Sequence, residues 1–257
     1  RDIGVTGVQT CALPIYYYAG DAEKAAAAAT AALALDAKQP IATYIMAEVN
    51  LRLGAHDQAR AQFESLVKHG HDSFDIRARL AQLAKHEGRA GDVEQQLCAA
   101  KQLDPERSYP YMELAELYEA AGRKEAALVE MEHYVMLEQM QVAPLKELAT
   151  EYGKLGKWHK VRTYGEMALY IFPADPELLL LLGKAYLETG DPKQALFTFD
   201  SALLVNPPIR RPAMAHIGRT RAYLAMNDKA KAKAALALAA KTEPGHADVV
   251  DLKTRLK

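Results

Sequence analysis

Side chains suited to chemistry are few and scattered in this 257-residue chain. The segment "HGHD", His69 to Asp72, sets two imidazoles and a carboxylate within four residues, the start of a divalent-metal site. No fourth ligand lies within sequence reach, so the cluster reads as a polar turn and no metal is assigned. Apart from Cys11, the only thiol is Cys98, which has no partner for a disulfide. Phosphate loops, dinucleotide fingerprints, zinc-protease helices and calcium loops all need fixed local spacings, and none occurs. No catalytic residue and no cofactor is therefore expected. The stretch "NPPIRRPAM" holds Arg210 and Arg211 in a proline-stiffened connector that either meets an acidic partner or only spaces two elements.

The elements that must position any site announce themselves through glycine. Gly20, Gly54, Gly88, Gly122, Gly156 and Gly190 recur every 34 residues. With each glycine taken as position 15, position 11 holds Tyr16, Asn50, Ala84, Tyr118, Tyr152 and Tyr186. Position 8 holds Ala47, Ala81, Ala115, Ala149 and Gly183, and position 20 holds Ala25, Ala59, Val93, Ala127, Val161 and Ala195. Small residues there let helix backbones approach closely. Position 24 is bulky at Phe63, Leu97, Met131 and Phe199, and prolines 105, 173 and 207 mark where second helices stop. A helix pair of this length cannot bury its own apolar face, so units must stack. The glycines supply the positive φ that a tight turn between antiparallel helices needs, and Asn227 takes that place 37 residues after Gly190. Tyr118, Tyr152, Tyr186 and Tyr223 are expected inside their helix pairs and Trp158 in packing contact. Tyr134 breaks the small-residue rule at position 27, and its ring is expected to fill the space left at Gly165.

These positions resemble the tetratricopeptide repeat; "LLLLLGKAYLETGDPKQALFTFDSALLVNP" carries Leu182, Gly183, Tyr186, Gly190, Ala195, Phe199, Ala202 and Pro207 in phase. The resemblance implies an all-α fold, a right-handed superhelical solenoid of antiparallel helix pairs. The expected organisation is a partial repeat over 16–39, repeats over 40–73, 74–107, 108–141, 142–175, 176–209 and 213–246, and a capping helix over 247–257. Residues 1–15 have no helical period, and Val5 to Ile15 resembles the translation of a sequencing adapter; the segment is read as non-native and disordered, with the true N-terminus missing.

Lys plus Arg number 32 against 33 Asp plus Glu, so no basic field holds nucleic acid or anionic lipid. The apolar run Leu178 to Leu182 is far too short to cross a membrane. Cytoplasm and periplasm both fit, which leaves localisation unassigned.

The resemblance also implies which residues face a ligand, because first helices line the groove in this family. Those positions give Tyr44, Glu48, Gln82, Met112 and Glu116 toward the N-terminal half. Toward the C-terminal half they give Lys146, Thr150, Leu180, Lys184, Ile217 and Arg221. The groove is expected to be acidic in its first half and basic with apolar anchors in its second, which suits a peptide or protein partner with acidic groups. The carboxylate clamp of chaperone-tail binders is not matched, since Lys146 is followed by Thr150 and by Leu181 in the next unit. The reading is a bacterial-type, non-catalytic binding scaffold. Its rivals are the repeat-bearing end of a larger enzyme, such as a peptidase or transferase, and a self-associating assembly module.

Overall fold

The computed structural model describes Ile15, Tyr16, residues 18–206 and residues 208–256. Residues 1–14, with Cys11 and nearly all of the adapter-like segment, lie outside the described residues, as does Pro207. Fourteen helices follow one another and no strand occurs among the described residues. The chain divides into two compact units, Arg1–Leu137 and Glu138–Lys257. The first contains α1 (Ala22–Leu35), α2 (Pro40–Arg52), α3 (His56–Lys68), α4 (Phe74–His86), α5 (Ala90–Leu103), α6 (Tyr109–Ala120) and α7 (Lys124–Leu137). The second contains α8 (Val142–Lys154), α9 (Trp158–Ile171), α10 (Pro176–Glu188), α11 (Pro192–Leu204), α12 (Pro212–Ala225), α13 (Lys229–Thr242) and α14 (Ala247–Arg255).

Local sequence sets where each helix starts and stops. Asp175 accepts hydrogen bonds from the amides of Glu177 and Leu178 with Pro176 in the first turn, and Asp191 accepts from Gln194 with Pro192 likewise placed. Each first helix ends in the same two bonds: at Gly122 the glycine amide donates to the Glu119 carbonyl at 2.9 Å, and Arg123 donates to the Tyr118 carbonyl at 2.8 Å. The anchor glycines all have positive φ, between +68° and +82°, and Asn227 reaches +60° in the same role. A side chain there costs about 1 kcal/mol or more, which explains glycine at that place in every earlier unit.

Consecutive helices pack as pairs and pairs pack on pairs within each unit. The small positions form the seams: Ala47, Ala59, Ala149, Val161 and Ala195 are fully buried. Phe63 is also fully buried, and burial of a side chain of that size contributes about 3 kcal/mol. Phe199 lies between two glycines, since a Cβ added at Gly183 would stand 2.6 Å from its ring and one at Gly218 2.4 Å. The space beside Gly165 is taken by Leu182 and Leu178 of α10. Tyr118 and Tyr152 are buried as expected, whereas Tyr186, Tyr223 and Trp158 are only half-buried.

The half-buried aromatics are covered by cations. Arg162 lies over the Tyr186 ring at 4.8 Å, Lys231 over Tyr223 at 5.8 Å and Lys184 over Trp158 at 4.7 Å. The Tyr186 hydroxyl donates to Glu166 at 2.9 Å, and burial together with that carboxylate pushes its pKa up to about 12.

Candidate functional site

In the first unit the first helices of three successive pairs, α2, α4 and α6, turn one face each toward a common cleft of about 610 Å³. The helical repeat explains the lining: Phe74, Ala78 and Gln82 on α4 stand four residues apart, as do Asp75 and Arg79, and Tyr109 and Glu113 on α6. Tyr44 on α2 completes the wall, its ring held edge-on at 5.8 Å from Phe63.

Charges in the cleft come in pairs. Arg79 donates through Nε to Glu48 at 2.7 Å and through Nη1 to Gln82 at 3.1 Å. Arg107 binds Asp75 at 2.9 Å while its guanidinium lies 4.3 Å above the Phe74 ring. Lys85 donates to Glu113 at 2.6 Å and Glu116 at 3.4 Å, and the Glu113 bond holds its ammonium above the usual lysine range despite partial burial. Burial, and then the Glu113 charge, push the Tyr109 hydroxyl up as well, so it stays a neutral donor at ordinary pH. Among the described residues no Ser, Thr, Cys or His lines the cleft. Aromatic walls, an amide and near-balanced ion pairs suit recognition of a backbone with apolar side chains.

Of the residues expected in this half, Tyr44 and Gln82 line the cleft, Glu116 lines an adjoining cavity, and Met112 is half-buried on α6. Glu48 requires correction, because it is only 2% exposed beneath Arg79 and presents no acid to a partner. Sequence reasoning missed Phe74, Asp75, Arg79, Arg107 and Tyr109; the four-residue spacing along α4 was a legible signal for the first three.

In the second unit the expected cations already have partners. Lys146 holds Asp175 at 2.6 Å and Glu177 at 3.7 Å. Burial would raise the Asp175 pKa, but the Lys146 bond and the amides of Leu178 and Glu177 outweigh it and hold the carboxyl below the usual range. Arg221 binds Asp248 at 2.8 Å, and Lys184 covers Trp158. Thr150 donates to the carbonyl of Lys146, and Leu180 packs against the core around Phe199. Ile217 requires correction: it is 2% exposed, within the core cluster that also holds Leu236, Val249 and Leu252.

The remaining sequence candidates resolve simply. Asp72 accepts both Nε and Nη2 of Arg77, at 2.8 and 2.7 Å, and His69 Nδ1 stands 2.7 Å from the Ser65 carbonyl oxygen. No three His, Cys, Asp or Glu side chains converge on a metal position among the described residues. Arg211 turns back to Glu243 at 2.8 Å while Arg210 is exposed, so the basic pair of the connector is split. No helix among the described residues is long and apolar enough to cross a membrane.

Helix pairs joined at positive-φ glycines, with small residues at every seam, define a helical repeat array. Two family models, both described as tetratricopeptide repeat, match residues 14–75 and 176–208. The chain is a tetratricopeptide repeat protein. Its fold is similar to a tetratricopeptide repeat protein from Parabacteroides merdae, at 15% identity and TM-score 0.50 over 98% of each chain. It is also similar to the C-terminal part of a repeat-containing protein from Cytophaga hutchinsonii, at 17% identity and TM-score 0.53 over 95% of this chain and 98% of that one. YrrB, described as a TPR protein with an unusual peptide-binding site, aligns at 17% identity and TM-score 0.52 over 89% of this chain and 99% of that one. No curated protein matches this sequence at a significant level.

Proposed function

We propose that this protein is a non-catalytic scaffold whose first unit holds an extended segment of a protein partner against α2, α4 and α6. The observation that carries the reading is the cleft of about 610 Å³, lined by Tyr44, Phe74 and Tyr109 and by the hydrogen-bonded Arg79–Gln82 pair. Aromatic rings supply contact area at small entropic cost, and Gln82 offers an amide to a peptide backbone. Each cation in the cleft is matched by a carboxylate, so the surface favours apolar anchors over a strongly charged ligand. The peptide-binding description attached to YrrB, a protein of like fold, accords with this reading.

The test is selection of a displayed library of random short peptides against the full chain, followed by fluorescence polarisation with the recovered sequences. Ala78 lines the cleft and is half-buried, so Ala78→Trp fills it from within. The variant is expected to bind about tenfold more weakly or worse, equivalent to about 1.4 kcal/mol, with an unchanged far-ultraviolet circular dichroism spectrum. Undiminished binding by Ala78→Trp would refute the placement.

A further inference from the structure

A second cavity, of about 370 Å³, adjoins the cleft and shares Lys85 and Glu113 with it. Its walls come from α5, through Ala90 and Val93, and from α6, through Leu117 and Ala120. Val93 is 4% exposed and belongs to the core cluster that Leu117 packs against, so the back of the cavity is fixed. Polar side chains stand only at its mouth, where Lys85, Glu113 and Glu116 meet.

That mouth has an imbalance of charge. One ammonium serves two carboxylates, at 2.6 Å to Glu113 and 3.4 Å to Glu116, which leaves one negative charge in excess. Glu116 has the longer contact, and its side chain is 61% exposed. An incoming cation therefore meets an accessible carboxylate, whereas an incoming carboxylate faces two of its own sign.

Resting on the reading of the cleft as a peptide site, we propose that this cavity selects the partner: it takes a bulky aliphatic side chain from the bound segment, with a lysine or arginine beside it that pairs with Glu116. Shape supplies the first half of the preference and charge the second. A segment lying along α4 and α6 passes Lys85 and Glu113, which border both spaces, so one side chain can turn into the cavity without leaving the cleft.

The test uses three synthetic peptides on one recovered binding sequence, with the central pair set to Leu-Lys, Leu-Glu or Ala-Lys, titrated against the full-length chain. Leu-Lys is expected to bind about tenfold more tightly than either of the others. Glu116→Lys should reverse the order of Leu-Lys and Leu-Glu, and Ala120→Phe, which fills the cavity from an exposed helix end, should erase the gap between Leu-Lys and Ala-Lys. Equal affinities for Leu-Lys and Leu-Glu, or for Leu-Lys and Ala-Lys, with binding still sensitive to Ala78→Trp, would overturn this inference and leave the cleft standing. Peptides that bind without sensitivity to Ala78→Trp would overturn both readings together.

Discussion

Gly218 on α12 and Gly183 on α10 clasp the ring of Phe199, and replacing Gly218 with alanine sets two effects of opposite sign against each other. Alanine inside a helix is favoured over glycine by about 1 kcal/mol, so propensity alone makes Gly218→Ala stabilising. The added Cβ, however, would stand 2.4 Å from the nearest ring carbon of a side chain that is only 3% exposed. Carbon atoms pack at about 3.5 Å or more, so the ring or the helix must move by about 1 Å, and overpacking of this kind costs about 1–3 kcal/mol. The clash is expected to win, with a net loss of up to about 2 kcal/mol and a melting temperature lower by up to about 4–8 °C. Phe199→Leu in the same background removes the obstructing ring edge, so the double variant should be more stable than the two single losses sum to, by about 1 kcal/mol or more. Urea unfolding of all four proteins, followed by far-ultraviolet circular dichroism, closes the cycle. A Gly218→Ala variant more stable than the parent, or two losses that simply add, would refute the clasp.

Arg79→Ala should destabilise more than Glu48→Gln, by about 1 kcal/mol or more, because it takes a charge-assisted bond from a carboxylate that is 2% exposed whereas Glu48→Gln leaves an arginine that still reaches water; equal unfolding midpoints would contradict the pairing. Asn227→Gly relieves a φ of +60° and should raise stability by about 0.5–1 kcal/mol in thermal unfolding, whereas an unchanged or lowered melting temperature would count against strain at that turn. Burial, and then the Arg219 charge, lower the His216 pKa against the opposing pull of Asp200. The folded state then holds fewer protons than the unfolded chain just below the ordinary histidine value of about 6.5, so stability is present above that pH and is lost as pH falls beneath it. His216→Gln should flatten this dependence between about pH 7 and about pH 5, and parallel melting curves for parent and variant would reject it.

The scaffold was legible because each of its rules acts within one helix pair. The 34-residue recurrence of glycine located turns that all have positive φ, and Asn227 took the same conformation across a changed interval. Alanines at the seams are buried where periodicity put them. The surface was less legible, since exposure there depends on what a neighbouring unit lays over it. Glu48 is covered by Arg79, 31 positions later, and Ile217 is buried in one core cluster with Val249 and Leu252 of α14. Lys146, Lys184 and Arg221 are charges that sequence position alone leaves unpartnered, yet each is claimed by Asp175, Trp158 or Asp248 on another helix.

The proposed scaffold carries its partner segment on the first-helix face of the first unit. Amide and methyl chemical-shift mapping of the full chain with a peptide recovered from the library tests it most directly. Shifts confined to Tyr44, Phe74, Ala78, Gln82, Tyr109 and Glu113 and their immediate neighbours are predicted. Saturable shifts that instead follow the second helices α3, α5 and α7, with the cleft silent, would contradict it.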